Sequence, residues 1–123
     1  MKAILIDPFD QSVSEVDYNG DYKEIYNLTD CDTFDAVSLD DTNDIYVDDE
    51  GLLKNPTRYF RIYSYTTNQL VTLAGKGLIL GHNDDGETIA TTLNANEYAG
   101  TVSFLPEGYT HDPVIEFVAR NWS

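Results

Sequence analysis

Residues 2–18 read KAILIDPFDQSVSEVDY, and this stretch sets the class of fold. Lys2–Ile6 is a compact apolar run, the pattern of a buried strand. Asp7-Pro8 ends it, because proline has no N–H to donate to a ladder. Gln11–Tyr18 returns as a second strand, although two polar residues separate Val13 from Val16 and break strict alternation. Two strands joined across DPFD predict a hairpin, and a hairpin begins an antiparallel sheet.

The rest of the chain fits that beginning. Asn19-Gly20 breaks the chain, and Tyr22, Ile25, Tyr26 and Leu28 then approximate a helical stripe over residues 21–28. Asp21 is the expected N-cap, with Glu24 three residues on completing a capping box. Phe34–Leu39 and Asp44–Val47 read as strands joined across Asp40–Asn43. Arg58–Tyr65 (RYFRIYSY) is rich in β-formers, with Phe60 and Ile62 on one face and Tyr59, Arg61, Tyr63 and Tyr65 on the other. Leu70–Leu73, Leu78–Leu80, Thr88–Leu93 and Tyr98–Leu105 complete the expected strands. In the tail, Asp112 before Pro113 caps a second short helix over 112–121, although its Val, Ile and Phe residues also suit a strand. The expected fold is α+β: a small, mostly antiparallel sheet with one or two short helices, in a single domain over residues 1–123.

Charge is the strongest global feature. The chain carries 22 acids against seven Lys and Arg, a net −15. Residues 1–50 hold fifteen acids against Lys2 and Lys23, leaving −13; residues 51–123 hold seven acids against five basic residues, leaving −2. Such a surface repels phosphate backbones and anionic lipid, which argues against direct nucleic-acid or membrane binding. It suits a partner with a basic surface, and equally suits plain solubility in a salty setting. Cys31 is the only cysteine, so no intrachain disulfide forms and the expected compartment is a reducing cytoplasm. Four apolar residues between Lys2 and Asp7 are too few for a signal peptide.

No motif specifies a reaction. An EF-hand begun at Asp30 puts Phe34 at position 5 and Asp35 at position 6, where an oxygen ligand and a glycine are needed. An irregular site drawing on Asp40, Asp41 and Asp44, or on Asp48, Asp49 and Glu50, is the remaining cation reading, and acids this common meet by chance. His82 and His111 lie 29 residues apart with Cys31 far from both, so no metal spacing emerges. Neither a metal nor a cofactor is expected. There is no G-x-S-x-G elbow, and Gly75-Lys76-Gly77 lacks the Ser/Thr and the helix of a P-loop. RYFRIYSY interleaves arginine with tyrosine, as base-stacking sheets do, but lacks the glycines of the RNA-binding motif. Its Tyr59, Arg61, Tyr63 and Tyr65 serve either as a half-buried sheet face or as a ligand or partner surface.

Two further stretches carry a family likeness. IYVDDEGLLKN (45–55) followed by LAGKGLILGHNDDGET (73–88) resembles an uncharacterised family of short phage and bacterial proteins, a domain of unknown function. The matching residues are Val47, Asp48, Glu50, Gly51, Leu52, Asn55 and Pro56, then Gly75, Ile79 and Gly81. The resemblance implies a phage-like or mobile-element origin and a host-cell cytoplasmic location, and it transfers no catalytic residue. The chain departs from the pattern in lacking a more basic C-terminal part. The leading expectation is a non-enzymatic acidic accessory protein that binds a basic protein surface, in host takeover, anti-defence or DNA mimicry. Its acidic surface would comprise Asp40, Asp41, Asp44, Asp48, Asp49 and Glu50. One alternative is a small-molecule or enzymatic domain with a cleft near Tyr59, Arg61, Tyr63 and His82; another is a structural subunit of an oligomer.

Overall fold

The computed structural model describes residues 1–49 and 58–106. Glu50, the Gly51–Pro56 part of the family pattern and the expected helix at 112–121 lie outside the described residues. The described chain is mostly antiparallel sheet with two short helices, an α+β fold.

Strands β1 (Lys2–Asp7) and β2 (Ser12–Asp17) form the expected hairpin, in a register that sets Ile4 opposite Glu15. Strands β3 (Phe34–Ser38) and β4 (Asn43–Asp48) form a second hairpin. Between the two hairpins runs β7 (Gly77–His82), so the sheet order is β2-β1-β7-β4-β3. A central strand buried on both faces needs apolar residues at successive positions, and GLILG (77–81) supplies them. Leu78 and Leu80 face one side and Ile79 the other.

The second sheet is β6-β5-β9, built from β5 (Tyr59–Ser64), β6 (Gln69–Ala74) and the two-residue β9 (Ser103–Phe104). Its inner residues Phe60 and Ile62 meet Ile4, Ile6, Ile45, Val47 and Ile79 of the first sheet in one core. On the opposite face of the first sheet lies α1 (Tyr22–Thr29), whose Ile25 packs on Ala3, Leu78 and Leu80. The result is three layers: helix, larger sheet, smaller sheet. Two glycines in β7 let the layers close. A Cβ at Gly77 would fall 2.6 Å from Cδ1 of Ile45, and one at Gly81 would fall 2.6 Å from the Ala90 carbonyl oxygen.

Three expectations are corrected. Asp21 does cap α1, accepting from the Lys23 N–H at 3.0 Å, but the reciprocal half of the capping box is displaced. Asn19 Oδ1 takes the Asp21 N–H at 2.8 Å, and Glu24 reaches past it to the Asn19 N–H at 3.3 Å. The expected strand Thr88–Leu93 shrinks to β8 (Thr88–Ile89), because Thr91 turns inward to bond Asn43. Within the expected strand Tyr98–Leu105, only Ser103–Phe104 pairs as a strand. Tyr98 instead ends a one-turn helix α2 (Ala95–Tyr98), and Ala99–Thr101 is a 3-10 turn. Asn94 caps that helix by accepting from Asn96 N and Glu97 N, and the N-A-N-E spelling at 94–97 is its mark in the sequence. A four-residue helix lacks the length for a period; Ala95 and Tyr98 hold it by entering the core.

Candidate functional site

The carboxylates of the expected acidic surface do not form one cluster. They occupy opposite ends of β4. Asp40, Asp41 and Asp44 sit at its start, and Asp48 and Asp49 at its finish, about 13 Å away at the rise of a strand. Glu50 lies outside the described residues.

At the first end the turn is held by a buried polar knot. Asn43 is fully buried. Its carboxamide NH2 donates to the Asp40 carboxylate at 3.1 Å and to the Thr92 hydroxyl at 2.9 Å. Its carbonyl accepts from the Thr91 hydroxyl at 2.6 Å. Asp40 also accepts the main-chain N–H groups of Thr42 and Asn43, both at 2.8 Å. Its charge is therefore committed to shaping the turn, whereas Asp41 is exposed.

Beside the knot, His82 Nδ1 lies 2.7 Å from Asp44 Oδ2. Both side chains project from the α1 face of the sheet: Asp44 lies across from Leu80, and His82 stands two residues further along β7. The hydrogen bond to Asp44 and its charge raise the His82 pKa above the usual value against the opposing effect of burial, and the Asp41 backbone and Asp40 add to the rise. A ring bonded to a carboxylate and a carbonyl is best served as imidazolium, whereas a general base needs a neutral ring with a free nitrogen. The pair is a clasp between β4 and β7. Because the folded pKa is raised, its stabilisation is fully present below about pH 6.5 and is lost as pH rises through the folded value. In urea titrations from acidic to alkaline pH, the stability gap between the wild type and His82→Gln is expected to shrink as pH rises. A gap that stays constant or widens would contradict the clasp.

At the opposite end of the sheet an open groove of about 340 Å³ is lined by Asp7, Phe9, Asp10, Asp30 and Lys76. Lys76 Nζ donates to Asp30 at 2.6 Å. That bond, with the nearby charges of Asp30, Asp7 and Asp10, holds its pKa above the ordinary lysine value against the effect of burial. Asp30 ends α1 in the left-handed conformation (φ 52°, ψ 47°), an acid where the helix dipole favours a cation. Phe9 is 52% exposed at the groove's rim. Nothing in the sequence groups these five residues. Their closeness comes from the pairing of β1 with β7, which joins residues some seventy positions apart.

The tyrosine surface divides differently. Tyr59 is buried, so it belongs to the core rather than to a wet face. Arg61 Nε donates to Thr72 Oγ1 at 3.2 Å, and the rings of Tyr63 and Tyr65 meet edge-on at 4.8 Å. Tyr98 donates its hydroxyl to the Tyr63 carbonyl at 3.4 Å; burial, with Asp40 and Tyr65 adding, pushes its pKa up to about 12, so it remains a neutral donor. His82 does not join this group. It faces α1, whereas Arg61 and Tyr63 point away from the shared core, which lies between. The expected cleft of Tyr59, Arg61, Tyr63 and His82 is therefore not assembled. Among the described residues no three His, Cys, Asp or Glu side chains converge in a metal-binding arrangement, and no helix is long and apolar enough to cross a membrane.

A family model described as a domain of unknown function, DUF3846, matches residues 1–103, well beyond the 45–81 stretch that carried the resemblance. No curated protein and no solved structure matches the chain.

Proposed function

Because the chain belongs to the DUF3846 family, a domain of unknown function whose description assigns chemistry to no residue, we propose its role from its surface: a non-enzymatic acidic accessory protein that binds a macromolecule with a basic surface. The observation that carries this reading is the placement of residues 30–49. This segment holds eight aspartates and no Lys, Arg or His. It forms the β3–β4 hairpin and its flanks at the edge of the larger sheet. Asp32 and Asp49 stand at one end of the hairpin, Asp35 midway along its edge, and Asp41 at the other end, all exposed. A stripe of one sign steers a cationic partner and rejects anionic ones. On this reading the activity belongs in the cytoplasm of an infected host, with imitation of DNA as a special case.

The test is binding to folded basic proteins, beginning with nucleic-acid-binding ones, by biolayer interferometry across a salt series. Affinity should fall at least about tenfold between about 50 mM and about 500 mM salt. The triple replacement Asp32→Asn, Asp35→Asn and Asp41→Asn should weaken it by a similar factor with little effect on stability, since all three side chains are exposed. Salt-independent binding, or none to any basic protein, would remove this reading. Competition by duplex DNA separates mimicry from general cation binding.

A further inference from the structure

The outer edge of β3 joins the acidic stripe to a row of main-chain groups. Leu39 N–H bonds Asn43 O at 2.9 Å and Asp49 N–H bonds Thr33 O at 3.4 Å. In an antiparallel ladder those bonds set the alternation, so the main chain of residues 33, 35, 37 and 39 faces β4, and that of Phe34, Ala36 and Ser38 faces outward. Ser38 O is already taken by the Ser64 hydroxyl at 2.7 Å. The Ala36 N–H is covered by the carboxylate of its own neighbour, Asp35, at 2.9 Å. Among the described residues β3 pairs only with β4, and both Asp35 and Ala36 are exposed. Beside this edge Phe34 lies in an aromatic row, its ring centroid 5.0 Å from Tyr26 and 5.5 Å from Tyr46.

The geometry points to β3 as the docking edge for an extended cationic segment of a partner protein, which adds as a further strand. This rests on the proposed function and names the form of its partner. Asp35 acts as a removable cover. While unpaired it satisfies the Ala36 N–H and blocks the edge, a common protection against sheet-to-sheet aggregation. A lysine or arginine opposite Asp35 draws the carboxylate away and frees that N–H for the incoming strand. Residues flanking the cation pair across from Phe34 and Ala36, on the aromatic side, where β-branched or aromatic side chains fit. A second copy of β3 is rejected, because it would set aspartate near aspartate. Specificity for a basic strand thus comes from charge, and affinity from backbone hydrogen bonds.

The experiment uses the full chain and a fluorescein-labelled, end-blocked peptide alternating lysine with valine. Three companions go with it: the peptide with N-methylated amides along one edge, the peptide with glutamate for lysine, and a folded basic protein. The plain peptide should bind in a salt-dependent way. N-methylation should weaken it about tenfold or more, since it removes several backbone hydrogen bonds at once. The glutamate peptide should not bind. Asp35→Lys should lower peptide affinity about tenfold or more, and Ala36→Pro should do the same if circular dichroism shows it folded. Equal binding of the plain and N-methylated peptides would overturn the edge. Binding of the folded basic protein without either peptide would also overturn it and leave the proposed function standing. No binding by any basic probe removes both.

Discussion

Phe60→Ala is expected to destabilise the protein by about 3–5 kcal/mol, the cost of emptying a large aromatic site in a closed core. Phe60 is fully buried and sits where the two sheets meet, among Ile4, Ile6, Ile45 and Ile79. Its Cζ lies only 3.0 Å from where a Cβ on Gly77 would stand. The absent side chain at Gly77 is thus part of the space the ring fills, and nothing on that strand can move in to replace it. For a chain of this size the loss is a large share of the roughly 5–15 kcal/mol that holds a domain folded. Phe60→Leu should lose much less, because most of the volume is restored. Urea unfolding followed by tyrosine fluorescence measures both. A cost below about 1 kcal/mol for the alanine variant would mean the smaller sheet does not share a core with the larger.

Asn43→Ala is expected to cost about 2–4 kcal/mol, through polar groups rather than volume. Removing the carboxamide takes away the acceptor of the buried Thr91 O–H, whose oxygen keeps only the Leu93 N–H, and strips one donor from the Asp40 carboxylate. It also unties the chain after β8 from the turn before β4, so Thr92 loses its link to that turn. Thr91→Val removes the other side of one bond. Since both substitutions break the same contact, the double variant should cost less than the sum of the singles. Additive costs would show that the knot is not cooperative. Hydrogen exchange should quicken locally at Thr91 and Thr92 in Asn43→Ala and leave the β1–β7 pairs protected.

The two substitutions also mark what a sequence exposes and what it hides. Phe60 stood out from RYFRIYSY as one face of an alternating strand, because burial follows a period of two. Asn43 did not. In DDTN it looks like one more turn residue, and only Thr91 and Thr92, almost fifty positions later, make it the centre of a buried network. The same reason hid the groove around Lys76, whose partners come from residues 7–10 and 30. The helix at Ala95–Tyr98 was hidden for a local reason: four residues are too few to display a period, although Asn94 and Glu97 carry its cap.

By itself the sequence determined the strands of the two hairpins, the helix after Asp21, the antiparallel class of the fold and the concentration of negative charge before residue 50. These depend on neighbours a few positions apart, where proline, glycine, caps and alternation act directly. Tertiary structure alone decided that β7 runs between the hairpins, that His82 and Arg61 face opposite ways, and that the aspartates of β4 and its turn part into two groups. Alternation states that two residues share a face of one strand; it does not state which layer that face will meet. That choice belongs to pairings between distant segments, where the gain in buried area must exceed the entropy of closing long loops.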